Sequence, residues 1–190
     1  MGQYYKPVIG HKEDDKFVID AYLVAWDYGH NGAKLMEHSY IGNTLTGAIE
    51  TLLGKGGQFN GKCLVWAGDY ANGENGTEEQ DDDNLYMITR VMRDSEQMKP
   101  LTEIKDRHFR YAINLTKMQF VDMDKVKEDK YGLRIHPVPL LCAEGNGRGC
   151  GDYSGKNEKL IGTWARDAIT FDNEIPDGYT ELEPNFKEDR

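Results

Sequence analysis

Lys62-Cys63-Leu64-Val65-Trp66-Ala67 is a nearly continuous apolar run in the middle of the chain, and Gly68-Asp69-Tyr70 follows it directly. A short apolar run that is bounded by turn residues is typical of a strand that is buried on both faces. The sequence therefore predicts a buried strand over 62–67, followed by a turn that begins at Gly68.

Further strands are predicted on both sides of this run, because aromatic and β-branched residues are concentrated there between polar turns. The predicted strands are Tyr4–Ile9, Phe17–Trp26, Ala33–Ser39, Ile135–Cys142 and Leu160–Phe171, together with a hairpin of Arg107–Leu115 and Met118–Met123. Strands outnumber helices, and the two do not alternate regularly along the chain. This order predicts an α+β fold, in which a largely antiparallel sheet carries two helices on one face.

The two helices are predicted from apolar residues at helical spacing. Asn43 is the expected N-cap of the first helix and Gly54 its end, and the second helix begins near Asn84. A length of 190 residues is typical of one domain. We therefore interpret 1–190 as a single domain, with a mobile acidic loop at 72–83 and a solvated acidic tail at 174–190.

The composition excludes some classes of partner. A formal net charge of −10 argues against binding to DNA or RNA, which requires a basic surface that neutralises phosphates. It does not exclude a small phosphorylated ligand, because one or two arginines can hold a phosphate. Cys63, Cys142 and Cys150 show no paired spacing, which indicates free thiols in a reducing, cytoplasmic setting. The sequence shows no signal peptide and no long apolar span, so we expect a soluble protein without a membrane partner.

The densest glycine stretch is AEGNGRGCGDYSG at 143–155, which contains five glycines. Glycine lets the backbone approach a ligand closely, and the free N–H groups of such a turn can form an anion site. Arg148 adds a charged fork for a phosphate or carboxylate, although a surface salt bridge is an alternative role. The stretch matches neither the GxxxxGK[ST] phosphate loop nor the dinucleotide fingerprint. It therefore predicts a ligand site of another kind.

Asp-Tyr recurs beside glycine three times, at Asp27-Tyr28, Asp69-Tyr70 and Asp152-Tyr153. The first two pairs follow predicted strands, and the third closes the glycine-rich loop. The three carboxylates would converge if these strands end at one edge of the sheet. Ordinary turn chemistry, in which Asp accepts from nearby backbone N–H groups, is the alternative. We favour a shared pocket.

No known catalytic or metal motif is present. The five histidines lack metal-ligand spacing, so we predict no cofactor. A site that combines His38 with Asp69 or Asp152, either for metal binding or for hydrolysis, stays open. Asp27 could also join such a mixed metal site.

Several motifs together resemble a widespread family of small phage and bacterial proteins, most of which have no assigned activity. These motifs are MGQYYKP at 1–7, GAKLMEHSYIGN at 32–43, WAGDY at 66–70, EGNGRGCGDY at 144–153 and LIGTWARD at 160–167. The family looks like phage counter-defence proteins that sequester cyclic oligonucleotide immune signals. The resemblance implies binding without hydrolysis, a homo-oligomer and, for a phage-encoded chain, location in the host cytoplasm.

From the residues and the resemblance together, we expect a non-catalytic protein that binds a small nucleotide signal, such as a cyclic di- or oligonucleotide. Tyrosines would stack on bases, cationic side chains would contact phosphate, and carboxylates would accept from base edges or hold the loops. The predicted ligand-binding residues are Tyr4, Tyr5, Lys6, Asp27, His38, Asp69, Tyr70, Asn146, Arg148, Asp152 and Tyr153. Two alternatives stay open: a hydrolase that uses His38, and an inhibitor that binds a host factor through its acidic surface.

Overall fold

The computed structural model describes residues 3–29, 32–74, 83–92, 97, 109–145 and 153–188. Within these ranges the strands are β1 (Tyr5–Glu13), β2 (Lys16–Tyr22), β3 (Cys63–Gly68), β4 (Tyr111–Asn114), β5 (Gln119–Asp122), β6 (Ala143–Glu144), β7 (Gly155–Lys156), β8 (Asp167–Asp172), β9 (Thr180–Glu181) and β10 (Lys187–Glu188). The α-helices are α1 (Leu35–His38), α2 (Thr44–Leu53), α3 (Leu85–Val91) and α4 (Pro137–Leu141). Short 3₁₀ turns occupy Ala25–Tyr28, Met123–Lys125 and Glu158–Leu160.

The main sheet is largely antiparallel, and the predicted α+β class is confirmed. Its strands follow the order β2-β1-β3-β8-β4-β5-β9, and β6 also pairs with β3. One edge of β3 pairs with β1 along its whole length. The other edge is divided, because β8 pairs with its first two residues while β6 pairs in parallel with Trp66 and Ala67. This division brings the start of the glycine-rich stretch beside the end of β3. A separate two-stranded sheet joins β7 to β10.

The two longer helices lie on opposite faces of the sheet, not on one face as the sequence analysis expected. Alternate residues of β1 and β3 point to opposite sides. Ile9, Leu64 and Trp66 belong to the large core that contains α2. Val8, Val65 and Ala67 belong to a smaller core that contains Leu85 of α3. A strand that is apolar on both faces needs a cover on each face, and α2 and α3 supply the two covers.

Both predicted helix starts are confirmed by their caps. The Oδ1 of Asn43 accepts from the N–H of Leu45 at 2.8 Å, and the Oδ1 of Asn84 accepts from the N–H of Met87 at 2.9 Å. Gly54 ends α2 with an ordinary φ of −68°. A Cβ on Gly54 would lie 2.5 Å from the ring of Phe109, so close packing explains this glycine.

Four of the predicted strands are wrong in whole or in part. The strand predicted over Phe17–Trp26 ends at Tyr22, and Ala25 and Trp26 lie in a 3₁₀ turn. The segment Ala33–Ser39 contains α1, and Ile135–Cys142 contains α4, which has Pro137 at its start and His136 as its N-cap. A short apolar run suits a buried helix as well as a buried strand, so periodicity alone does not separate them. In Leu160–Phe171, only the residues from Asp167 onward form β8, and Trp164 lies in the turns before it.

The predicted hairpin is confirmed as β4 and β5, which pair around Thr116 and Lys117. The C-terminal segment differs from the expected solvated tail, because it contributes β9 and β10 and buries Phe186. Most of the predicted acidic loop, residues 75–82, lies outside the described residues. Among the described helices, none has the length and apolar character that a membrane crossing requires.

Candidate functional site

An open groove of about 830 Å³ lies where β1 begins and β3 ends, beside α3. Four aromatic side chains, two cations and two carboxylates face it: Tyr4, Trp26, Tyr70, Tyr86, Lys34, Arg90, Glu37 and Asp69. The groove therefore contains three of the predicted site residues, Tyr4, Asp69 and Tyr70. Aromatic faces and charged groups in one concave surface are typical of a binding site for a small polar ligand.

Tyr4 and Asp69 form the centre of the groove. The register of β1 and β3 pairs Tyr5 with Gly68, so Tyr4 lies opposite Asp69. The N–H of Asp69 donates to the carbonyl of Tyr4 at 3.0 Å, and the N–H of Tyr4 donates to Oδ1 of Asp69 at 3.0 Å. Partial burial raises the pKa of the Asp69 carboxyl, while the Tyr4 N–H and the charge of Arg90 act in the opposite direction. Both residues are thus held in place, and the Tyr4 side chain is still 47% exposed.

Asn84 fixes the turn after β3 against α3. Its buried Nδ2 donates to the carbonyls of Asp69 at 3.3 Å and Ala71 at 3.1 Å, while its Oδ1 caps the helix. A single side chain therefore sets the position of Tyr70 relative to the side chains of α3. The sequence identifies Asn84 as a cap and gives no signal of this second role.

Sequence reasoning missed the other eight residues that line the groove, including most of its aromatic and charged side chains. Tyr86 and Arg90 lie four residues apart, on one side of α3, and Met87 lies next to them. Trp26 was assigned to a strand, but it lies in a 3₁₀ turn with its side chain 68% exposed. For Lys34 the sequence gives no signal beyond its place in the motif at 32–43. The available signal was the helical spacing of Tyr86 and Arg90, which places an aromatic ring beside a cation.

Lys6 lies behind the groove and is not one of its lining residues. The residue is only 8% exposed, and its Nζ lies 4.2 Å from the centre of the Tyr86 ring and 5.5 Å from that of Tyr22. Burial, assisted by the charge of Arg90, lowers the pKa of Lys6 to about 8. Lys6 therefore contacts the Tyr86 ring and does not face the open space of the groove.

Tyr5 and His38, which were predicted to bind ligand, are placed in the core. The Tyr5 hydroxyl donates to Oε1 of Gln3 at 2.5 Å. Nε2 of His38 accepts from the indole N–H of Trp66 at 2.8 Å, and its Nδ1 lies 3.0 Å from the carbonyl of Gly32. Because an indole N–H can only donate, the His38 ring is neutral, with its proton on Nδ1. Burial also lowers the pKa of His38, so the ring is a fixed structural link.

Asp27 is exposed in the 3₁₀ turn that carries Trp26, and its Oδ2 accepts from Nε2 of Gln97 at 2.8 Å. Its neighbour Trp26 reaches the same groove as Asp69 and Tyr70. Asp27 and Tyr28 themselves do not line the groove, and Tyr28 is buried in the large core. The expected convergence of the Asp carboxylates is therefore not seen for the two junctions whose Asp and Tyr both lie in the described residues.

Tyr153, from the third junction, is buried in the two-stranded sheet. Its hydroxyl donates to the carbonyl of Lys156 at 2.5 Å and accepts from the N–H of Lys187 at 3.0 Å, and its ring packs edge-on against Phe186. These contacts give Tyr153 a structural role. The remaining predicted site residues lie outside the described residues: Asn146, Arg148 and Asp152.

The first glycine of the glycine-rich stretch packs directly over the core. A Cβ on Gly145 would lie 2.3 Å from Oε1 of Gln3 and 2.4 Å from the hydroxyl oxygen of Tyr5. A larger residue would have to displace these two side-chain ends, so the stretch leaves β6 in close contact with the buried Tyr5.

Arg166 connects two distant parts of the chain. Its Nε and Nη2 donate to the carboxylate of Glu144 at 2.7 and 2.9 Å, and its Nη1 and Nη2 donate to that of Glu74 at 2.9 and 2.5 Å. Although burial opposes it, these hydrogen bonds raise the pKa of Arg166. The ion-paired cluster of Glu74, Glu144 and Arg166 therefore holds the residues next to 75–82 and 146–152 against the turn before β8.

A second cavity of about 490 Å³ lies between β5 and the segment 181–187. Ile135 and Phe186 form part of its apolar floor, and Lys125 at its rim is paired with Glu181 at 2.5 Å. It contains none of the predicted site residues. In the described parts of the chain, no group of three or more His, Cys, Asp or Glu side chains is arranged to hold a metal ion.

Comparison of the chain with family models, with curated proteins and with solved structures finds no match. The family resemblance of the sequence motifs therefore stays a prediction, and function has to be inferred from the groove.

Proposed function

We propose that this protein binds a small nucleotide in the groove between Tyr4 and α3 and holds it without hydrolysing it. The observation that carries the proposal is the presence of four aromatic side chains and two cations around one open space of about 830 Å³. Stacking on aromatic rings suits nucleobases of any sequence, and arginine and lysine suit phosphate. Pockets for small molecules commonly measure roughly 300–1,000 Å³, a range that includes this groove.

The local charge supports an anionic ligand. Arg90 and Lys34 face the groove, and Lys6 lies behind Tyr86. The groove also contains two carboxylates. That of Glu37 accepts a hydrogen bond from the backbone N–H of Lys34 at 2.9 Å, so part of its capacity to accept is already used. The formal net charge of −10 repels a long polyanion, whereas a small ligand meets the mixed charges of the groove itself, including Lys34 and Arg90.

The described geometry favours binding over hydrolysis. The hydrolase alternative requires His38 as a base, but His38 is buried and both of its ring nitrogens are engaged. We further propose, from the family resemblance, that the ligand is a cyclic di- or oligonucleotide signal, that the protein removes it from the host cytoplasm as a counter-defence, and that it acts as a homo-oligomer.

Isothermal titration of the full chain against cyclic dinucleotides, cyclic trinucleotides and linear mononucleotides tests the proposal. We expect at least one cyclic nucleotide to bind at micromolar concentration or tighter. Trp26→Ala and Arg90→Ala should each weaken binding by about 10-fold or more, the loss expected for one stacking or charged contact. Tyr131→Ala and Lys12→Ala, an exposed aromatic and an exposed cation outside the groove, are the matched controls and should leave binding unchanged.

The ligand is then recovered from the heated complex and identified by mass spectrometry. Intact ligand is expected. A set of nucleotides that shows no binding at micromolar concentration contradicts the proposal, and cleaved ligand contradicts its non-catalytic part.

A further inference from the structure

The carboxylate of Asp69 is presented to the groove in a fixed position. Its backbone N–H donates to Tyr4, its carbonyl accepts from Asn84, and its Oδ1 accepts from the N–H of Tyr4. Apart from the N–H of Tyr4 and the backbone N–H of Asp69 itself, no described residue donates to this carboxylate. With respect to the described residues, Oδ2 therefore keeps capacity to accept, in a direction that the protein sets before any ligand arrives.

An aromatic ring accompanies this acceptor. Residues that face each other across antiparallel strands direct their side chains to the same face of the sheet, so the Tyr4 ring and the Asp69 carboxylate lie on one side. That side is the one covered by α3, since the opposite side carries Tyr5 and the large core. A flat ring that stacks near Tyr4 would thus present its edge toward Asp69.

The chemistry of the base edges decides which ring fits. The Watson–Crick edge of guanine has two neighbouring donors, N1–H and the N2 amino group, and an ionised carboxylate only accepts. The same edge of adenine has a single donor, the N6 amino group, next to the acceptor N1. N1 of adenine would therefore face an oxygen of the Asp69 carboxylate. Two acceptors that face each other without a hydrogen between them cost binding energy in a partly buried site.

We propose that Asp69 makes the groove selective for guanine by accepting from N1–H and N2–H of a base stacked beside Tyr4. This inference rests on the proposed nucleotide-binding function and adds the identity of the base. A bidentate base contact commonly discriminates by roughly 10-fold to 100-fold, so guanine nucleotides should bind more tightly than adenine nucleotides by about that factor.

The test is titration of cyclic di-guanylate and cyclic di-adenylate into the wild-type chain and into Asp69→Asn. The asparagine oxygen can still accept from the N–H of Tyr4, so the turn is preserved, but an amino group replaces Oδ2. This amino group can donate to N1 of adenine and opposes N1–H of guanine. The expected result is a guanine preference of about 10-fold or more in the wild type, and its loss or inversion in the variant, with adenine affinity unchanged or improved.

Glu37→Gln is the matched control, because Glu37 is the other carboxylate of the groove. It should leave the ratio of the two affinities unchanged. Equal binding of both dinucleotides by the wild type, or an equal loss of both in Asp69→Asn with unchanged thermal stability, overturns the role of Asp69 and leaves the proposed function standing. Absence of binding by either dinucleotide overturns this inference, and only the absence of binding across the whole nucleotide panel removes the proposed function as well.

Discussion

Nζ of Lys6 lies 4.2 Å from the centre of the Tyr86 ring, at the point where β1 passes under α3. An ammonium over an aromatic face is stabilised by the ring. Burial and the charge of Arg90 act against the ammonium and lower the pKa of Lys6 to about 8 from the usual 10.5. At neutral pH the protein therefore keeps the charged ammonium of Lys6 in a buried position that disfavours the charge, next to the Tyr86 ring of the groove.

Lys6→Met should stabilise the protein at pH 7. Below pH 8 Lys6 is charged in both the folded and the unfolded chain, and the folded state bears the cost of burying it. Between pH 8 and 10.5 the folded chain loses this proton first, so the stability of the wild type rises with pH in that window. The expected gain at pH 7 is roughly 1–3 kcal/mol, and it should shrink toward pH 10.5.

Urea unfolding at pH 7 and pH 9.5 measures this difference. Lys12→Met, which changes an exposed lysine of the same strand, is the control and should alter the free energy of unfolding by less than about 0.5 kcal/mol. A Lys6→Met chain that is less stable than the wild type at pH 7 would show that the ring contact dominates over burial.

Ligand binding should be accompanied by proton uptake at Lys6, if the proposed function is correct. A phosphate near Arg90 offsets the charge that helps to lower the pKa of Lys6, so that pKa rises on binding. At pH 8 the uptake should approach, at most, about half a proton per ligand, because the free lysine is half protonated there. Calorimetric titration of the ligand in Hepes and in Tris, whose ionisation enthalpies differ, gives the number of protons taken up per ligand. Lys6→Met should reduce it to zero, and uptake that persists in this variant would assign the proton to another group.

His38→Ala should destabilise the fold by about 3 kcal/mol, because it opens a cavity and leaves the buried indole N–H of Trp66 without its acceptor. Since burial lowers the pKa of His38, the folded chain keeps it neutral while the unfolded chain takes up a proton below about pH 6.5. The neutral His38 of the folded chain therefore contributes its full stability above pH 6.5. This contribution is lost as the pH falls from 6.5 through the lowered pKa of the folded chain.

Unfolding curves at pH 7.5 and pH 5.5 therefore should differ less for His38→Ala than for the wild type. His11→Ala, a half-exposed histidine paired with Asp20 at 3.0 Å, serves as the control and should cost less than about 1 kcal/mol. Unchanged stability of His38→Ala, together with loss of a measured hydrolysis, would instead support the hydrolase alternative.

Arg166 affects stability through its side-chain hydrogen bonds and through its left-handed backbone conformation. Two substitutions separate these effects. Its φ of +66° lies in the left-handed region, where glycine is relaxed and alanine is strained. Arg166→Ala and Arg166→Gly both remove the hydrogen bonds to Glu74 and Glu144, but only glycine relieves the backbone. We expect both variants to be destabilised, with alanine worse than glycine by about 1 kcal/mol in urea unfolding. Equal losses would indicate that backbone strain at this position is negligible.

The parts of the fold that the sequence predicts are those with a local signal. β3 and the β4–β5 hairpin follow from apolar runs between turns, and α2 and α3 follow from their asparagine caps. The segment Ile135–Cys142 was missed although Pro137 is typical of a first helical turn, because a five-residue helix leaves no room for helical periodicity. The opposite placement of α2 and α3 follows from the two-sided burial of β3, a property that depends on tertiary packing.

In the groove as well, the residues that the sequence predicts are those with a local signal. Tyr4, Asp69 and Tyr70 were predicted because they lie where strands begin and end. Tyr4 and Tyr5 were predicted together, yet neighbouring residues of a strand face opposite sides, so only one of the two can reach the groove. The helical spacing of Tyr86 and Arg90 is a weak signal for Arg90, since a cation on a helix next to the acidic run at 78–83 is equally typical of a solvated surface.

The cluster of Glu74, Glu144 and Arg166 also makes three separate parts of the chain depend on one side chain. A single guanidinium joins Glu74, which follows β3, to Glu144 of β6 and to the turn before β8. Loss of that guanidinium would release these contacts in one step, so damage at Arg166 would spread to β6 and β8, the two strands that share one edge of β3.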